Sequence, residues 1–225
     1  MSSLRRIVIM AEMHGRDLTR RHVALGLLVA LPLSFYLASS SLVAGGVGMA
    51  FAVSGATLFS ILSSSEVDQR LVLGGYRPLE LLLGRLLFLA PLGTAIALGF
   101  SAVMVVGSGP DRPWLAVLGV ELVALQSIPF GLAVGAGVPR ELEGTLVLIG
   151  VVGLQLALEP DAAVSKLLPF YGPQEIITSG LSGSGPVWGP LLLTALYGLA
   201  LLFLARLFVS RRVEVTHHAR TGTTR

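Results

Sequence analysis

The chain has 225 residues, of which 53% are hydrophobic and 13% are charged, whereas an ordinary soluble domain has about 25% charged residues. A soluble fold of this size cannot bury so much apolar surface, so most of it must contact lipid or other helices. The absence of cysteine excludes disulfides and thiolate sites. The net charge of +3 comes from arginines that flank apolar runs. This pattern favours membrane lipids, and not nucleic acid, as the anionic partner.

Residues 1–22 have the pattern of an amphipathic helix that lies in the cytoplasmic membrane interface. Apolar and charged side chains occupy opposite faces at helical spacing, namely Leu4, Ile7, Val8, Ala11 and Leu18 against Arg5, Arg6, Glu12, Arg16 and Arg20. Ile9 and Met13 fall on the charged face. The segment is predicted to be a membrane-surface anchor, and a partner contact at Ile9 and Met13 is the alternative.

Six apolar runs follow, and most of them approach the roughly 20 residues that a membrane-spanning helix needs. They are residues 23–41, 43–63, 86–108, 114–138, 144–158 and 187–209, of which the fifth is the shortest. We therefore predict an all-α integral membrane protein. Its domains are the amphipathic helix (1–22), a six-helix transmembrane domain (23–209) and a cytoplasmic tail (210–225).

The distribution of basic residues predicts the orientation of these six helices. If the N-terminus is inside, the cytoplasmic connections and termini contain 14 of the Lys and Arg residues and the outer connections contain 2. Basic residues concentrate on the cytoplasmic side of membrane proteins. Both termini are therefore predicted to be cytoplasmic, in a multi-pass protein of the cell membrane.

The cytoplasmic connection at residues 64–85 is predicted to contain a short helix. Residues 65–68 have capping-box spacing, and Gly74 and Gly75 can end the helix because glycine adopts turn conformations readily. Pro78 suits the first turn of the next helix. From there the helical pattern runs for about 29 residues, or about 43 Å, which exceeds the ~30 Å hydrocarbon layer. The third spanning helix should project into the cytoplasm or tilt strongly.

Residues 159–186 are predicted to lie outside the membrane or in its outer leaflet. Apolar residues alternate there with Pro169, Pro173 and several glycines, so the segment is too interrupted to span. Two short helices that enter the outer leaflet or cap the bundle would bury these apolar residues.

Three polar residues in the spans, Glu121, Gln126 and Gln155, are candidates for a substrate path, because polar groups are costly inside a membrane. The alternative places Glu121 near the outer headgroups. No catalytic constellation or metal site is expected, and the adjacent His217 and His218 are read as solvated. The single lysine does not belong to a P-loop, so no cofactor is expected in this chain.

Gly131 and Gly135 form a pair of small residues four positions apart, which permits close approach of two helices. We predict that this pair lies at an interface between two subunits. Packing within one chain is the alternative.

The layout resembles the permease subunits of ABC transporters, in the class that exports drugs, lipids and polysaccharides. The similarity comprises the amphipathic "elbow" helix, the first hairpin, the broken outer segment, and the long connection at residues 66–78 followed by Glu80 and by Gly84 and Arg85. It covers nearly the whole chain. The resemblance implies a half-transporter that pairs with a second permease copy and with two ATPase subunits, which would hold ATP and Mg²⁺.

The resemblance also implies where the ATPase subunit would bind. The contacts would lie in the second-to-third connection and, more slightly, before the fifth helix: Glu66, Asp68, Arg70, Tyr76, Arg77 and Glu80, with Arg140 and Glu141. The expected function is export of an amphipathic substrate, with ATP hydrolysis on the separate subunit. The alternatives are a heme-exporter-type permease, a membrane scaffold or assembly protein without transport, and a membrane-embedded enzyme.

Overall fold

A computed structural model describes residues 3–20, 22–138, 140–158 and 162–221, with side chains described except at 17–20, 23–24 and 212–221. Every regular element in this part of the chain is a helix. The helices are α1 (Ser3–Arg20), α2 (His22–Ser39), α3 (Leu42–Ser63), α4 (Ser65–Leu73), α5 (Pro78–Ser108), α6 (Pro113–Gly137), α7 (Glu141–Ala157), α8 (Tyr171–Ser182) and α9 (Trp188–Thr221), with a 3₁₀ turn at Ser165–Leu167.

Among the described residues, four helices are long and apolar enough to cross a membrane, namely α3, α5, α6 and the part of α9 at Trp188–Arg211. The chain is therefore a multi-pass membrane protein. The first and fifth predicted spans correspond to α2, whose apolar part is Leu25–Ser39, and to the 17-residue α7. The predicted tail at 210–225 continues α9 as far as Thr221, and residues 222–225 lie outside the described chain.

Helices α3 and α6 form the centre of the bundle, where glycine lets their backbones come close. A Cβ atom at Gly131 would lie 2.4 Å from the carbonyl oxygen of Ser54, and one at Gly135 would lie 3.3 Å from Cα of Leu58. The prediction that this glycine pair lies at a subunit interface is wrong, because α3 of the same chain already occupies the space beside it.

Helix α7 runs from the C-terminal part of α3 to the first half of α8. Near its start, a Cβ at Gly144 would lie 2.8 Å from the side chain of Leu58, close to the C-terminal end of α3. At its other end, Gln155 donates to Gln174 of α8 across 3.0 Å. Helix α8 in turn packs on the beginning of α6, where Gly180 contacts the backbone of α6. Since Gly180, and not Gln174, meets the start of α6, α7 and α8 together cover the length of α6.

Helix α2 likewise lies along α3 as the first arm of a hairpin. A Cβ at Gly48 would lie 2.8 Å from Cα of Pro32, and the Tyr36 hydroxyl lies 3.2 Å from Oγ of Ser108, the last residue of α5. We call the end that contains α1 and α4 the α4 end, and the opposite one the α8 end.

The segment before α9 is a 3₁₀ turn followed by α8, which packs lengthwise along α6 toward the start of that helix. Phe170 is buried and meets Phe130 of α6 edge-on, with ring centroids 5.5 Å apart. Ile176 and Ile177 are also buried. Phe170, Ile176 and Ile177 are thus covered by protein, whereas Val164 and Leu167 are exposed. Only one of the two predicted short helices is longer than a single turn.

The connection between α3 and α5 is helical with a break at the predicted glycines. Helix α4 ends at Leu73, Gly75 has φ 89°, and Pro78 occupies the first turn of α5. Helix α5 has 31 residues, which corresponds to about 46 Å. This length confirms the prediction that the third spanning helix is longer than the hydrocarbon layer is thick.

The predicted capping box at residues 65–68 is wrong. The cap of α4 is Ser64, whose hydroxyl donates to the Ser60 carbonyl across 2.7 Å and does not cap the helix. A capping box occurs instead at the start of α5, where the Glu80 carboxylate accepts a 3.0 Å hydrogen bond from the backbone N–H of Arg77. Helix α4 thus begins one residue earlier than predicted, with Ser65 in its first turn, and the hydroxyl of the actual cap residue bonds back to α3.

Candidate functional site

Helix α4 projects from the bundle as a surface element. None of its nine residues is buried, although it directly follows α3. Glu66 and Arg70, two of the predicted ATPase contacts, are exposed, as are the apolar side chains of Val67 and Leu73. Helix α4 thus presents charged and apolar groups together on one short, solvent-facing element.

A buried arginine fixes α4 to the bundle. Arg85, one of the least exposed residues of α5, forms a 2.5 Å ion pair with Asp68 and donates to the Ser64 hydroxyl. Its Nε donates to Nε2 of the buried His14 across 3.0 Å. The cluster of Arg85, Asp68, Ser64 and His14, here called the Arg85 cluster, joins α1, α4 and α5. Asp68 therefore points inward, not toward a partner.

A second polar contact holds the start of α1 against the start of α5. Glu80 is buried, accepts a hydrogen bond from the Ser3 hydroxyl and lies 3.6 Å from Arg6. Arg6 also donates to the Gly75 carbonyl across 2.8 Å, and its guanidinium lies 5.2 Å from the ring centroid of Tyr76. Of the predicted contacts, Tyr76 and Glu80 thus bind α1.

The face of α1 that meets the bundle differs from the predicted apolar face. Met10 and His14 are buried, and a Cβ at Gly84 of α5 would lie 2.6 Å from Cβ of Met10. Of the predicted face, Ile7 and Ala11 are half-buried with their backbone near Gly84, whereas Leu4 and Val8 are exposed. They remain available to a membrane interface.

The second predicted contact segment meets the first at the α4 end. Arg77 and Arg140 are both exposed, and Arg140 pairs with Glu143 at 2.8 Å in a surface contact of small energetic value. Glu141 lines a cavity of about 360 Å³ together with Asp68 and Arg85. The structure therefore brings the start of α7 next to α4.

The three polar residues of the predicted substrate path lie between different helices. Glu121 accepts a hydrogen bond from Thr94 of α5, the buried Gln126 faces Gly198 of α9, and Gln155 contacts α8. Each has one buried atom without a hydrogen-bond partner among the described residues, namely Oε2, Nε2 and Oε1 respectively. The structure does not bring the three together into one path.

Sequence reasoning missed the roles of Arg85 and His14. A signal was available for Arg85, because an arginine that enters an apolar helix is costly to bury unless it is paired. Within the described residues, no three His, Asp or Glu side chains are placed to hold a metal ion. No protein-family model and no curated protein sequence matches the chain.

Proposed function

We propose that the chain is the permease subunit of an ATP-driven ABC exporter that moves an amphipathic substrate outward. It would work with a second permease copy and two ATPase subunits that hold ATP and Mg²⁺. The observation that supports this most directly is α4, a nine-residue helix with no buried residue that is held between two long helices. An element that transmits force must touch the partner and connect rigidly to the spanning helices.

The residues of the α4 end divide into two roles under this proposal. Glu66, Arg70 and Arg77 are exposed and form the ATPase-facing surface, since charges of both signs suit a polar, transient interface. Asp68 and Glu80 hold α4 and α1 against α5. Motion at α4 would thereby reach α5 through the Arg85 cluster.

Reversing the charge of Glu66 is expected to weaken the complex with the ATPase. Glu66→Arg places an uncompensated charge at the proposed interface, so recovery of the ATPase should fall roughly tenfold, equivalent to about 1.4 kcal/mol. The assay is affinity purification from native membranes, identification of a P-loop subunit by mass spectrometry, and measurement of substrate-stimulated ATP turnover.

Glu12→Arg is the matched control for this substitution. Glu12 is an exposed carboxylate at the same end whose 2.6 Å ion pair with Arg16 is solvent-exposed, so its loss should change little. Wild-type recovery and turnover for Glu66→Arg would contradict the proposal and favour a scaffold without transport.

We further propose that six helices span the membrane, with the α4 end in the cytoplasm of the cell. The packing of α2 along α3, and the course of α7 and α8 together from the end of α3 to the start of α6, support adding α2 and α7 to the four long apolar helices. The orientation is supported by the excess of basic residues at the α4 end, where Arg6, Arg70, Arg77, Arg85, Arg140 and Arg211 lie, whereas Arg112 and Lys166 lie at the α8 end.

Cysteine labelling tests this topology without background, because the chain has no native cysteine. Gln69 on α4 and Ser184 between α8 and α9 are both exposed. In intact cells, a membrane-impermeant thiol reagent should label Ser184→Cys and spare Gln69→Cys until the membrane is permeabilised. Equal labelling of both variants before permeabilisation would exclude the six-span arrangement.

A further inference from the structure

A large cavity opens beside α3 in the half of the bundle nearer the α4 end. Its volume is about 760 Å³, and its walls come from α1, α2, α3 and α5 with the first turns of α4 and α7. Along α3 the lining extends from Phe51 to Ser64, which is about 20 Å at 1.5 Å per residue. One leaflet contributes about 15 Å to the ~30 Å hydrocarbon layer. The cavity therefore has about the depth of a single leaflet.

The polarity of the lining changes along this depth. Leu31, Phe51 and Ala52 line the inner part, whereas Ser63 and Thr145, together with the apolar Val67, line the part next to α4. A membrane lipid has the same order of groups, with acyl chains in the hydrocarbon layer and polar groups at its surface. The lining thus matches an amphipathic molecule that stands parallel to α3.

The cavity is open to the surroundings of the bundle. Leu27 and Phe59 line it and yet are 57% and 45% exposed. Around a membrane-spanning bundle, lipid occupies that space. A lipid can therefore enter from the side, between helices, without passing through water.

The charge at the polar end of the cavity selects the headgroup. Glu141 lines this end, is exposed, and has no ion pair with any side chain in the described ranges. The neighbouring Arg85 is already neutralised by Asp68. The uncompensated charge at the mouth is therefore negative, and it favours a ligand with a cationic group.

We propose that this cavity binds one phospholipid of the surrounding leaflet with an ammonium headgroup, such as phosphatidylethanolamine. An acyl chain lies along α3 and the ammonium group pairs with Glu141. The site binds this lipid in the isolated chain, with no ATPase present. It can therefore be tested independently of the proposed export function.

Gly55 allows the cavity to be filled without disturbing the helices. It lines the cavity, and a Cβ added there meets no atom within 4 Å. Gly55→Leu should therefore place its side chain where the acyl chain lies. Gly99 of α5 also has open space around it and does not line the cavity, so Gly99→Leu is the matched control. Ala56→Leu, at another lining residue, repeats the test should Gly55→Leu fail to fold.

The probe is phosphatidylethanolamine with a photoactivatable acyl chain, present as a minor component in phosphatidylglycerol nanodiscs with the purified chain. Cross-linked peptides should come from α2 and the second half of α3, and Gly55→Leu should reduce that labelling about tenfold, corresponding to 1.4 kcal/mol. The Gly99→Leu variant should label as wild type. Equal labelling of wild type and the cavity-filling variants would overturn the proposal.

A second arm tests the headgroup. Wild-type protein should be labelled more strongly by the ethanolamine probe than by the corresponding glycerol probe with the same acyl chain. Glu141→Gln should remove this preference, while Glu141→Asp should keep most of it because the charge remains. Equal labelling of wild type by the two probes would overturn the assignment of an ammonium lipid.

Discussion

Replacing Arg85 by methionine is expected to lower the free energy of unfolding by about 3 kcal/mol or more. The substitution removes the cation that compensates the Asp68 carboxylate in a largely buried site. It also removes the donors to Ser64 and His14. Helix α4 would lose its polar attachment to α5, and α1 would keep only its contacts with Glu80, so the unfolding temperature in detergent should fall clearly.

Arg70→Met is the matched control, because Arg70 is an exposed arginine on α4 with no described ion pair. Surface substitutions of this kind usually change stability by no more than about 0.5 kcal/mol. The double variant Arg85→Met with Asp68→Asn should recover part of the loss, since the two residues are coupled. If Arg85→Met and Arg70→Met unfold at the same temperature, the Arg85 cluster does not stabilise this end.

Replacing Gly131 by leucine is expected to abolish most of the folded protein, with a cost of roughly 3 kcal/mol or more. Even a Cβ atom there would lie 2.4 Å from the carbonyl oxygen of Ser54 and 2.8 Å from Cβ of Thr57. Backbone cannot move away as a flexible side chain can, so α3 and α6 must separate. The yield of monodisperse protein after detergent extraction measures the effect.

Gly150→Leu on α7 provides the control, because a Cβ there meets nothing within 4 Å. Leucine is a better helix former than glycine, so a gain of up to about 0.8 kcal/mol is expected. Gly135→Ala, with its nearest contacts at 3.3 Å, should lie between the two. A Gly131→Leu protein that folds normally and loses only dimerisation would reinstate the subunit-interface prediction.

The sequence predicted the course of the chain through α4 and α5 because local backbone chemistry determines it. Gly75 adopts a positive φ that other residues disfavour, and proline favours the first turn of a helix, where Pro78 lies. The inward face of α1 was not predicted. It depends on Gly84, whose missing side chain admits Met10, and no periodicity within α1 contains that information.

The sequence predicted where in the chain the candidate site lies, but not which of its residues face outward. Which residues of the 64–85 segment face outward depends on His14 and Arg6, which are distant in sequence. In the membrane part, Glu121 and Gln126 are five positions apart, so on one helix they point about 140° apart. This angle follows from the sequence alone. The sequence does not predict which helices contact the two side chains, namely α5 at Glu121 and α9 at Gln126.

The close contact between α3 and α6 has a consequence for biogenesis. During synthesis α3 enters the bilayer long before α6 leaves the ribosome, and in that interval its packing face meets only lipid. The hydroxyls of Ser54 and Thr57 on this face donate to carbonyls of α3 itself, the latter across 2.7 Å to Val53. These two hydroxyls therefore need no second helix to satisfy them as hydrogen-bond donors. Helix α3 can therefore remain in the membrane as a stable intermediate until α6 is inserted.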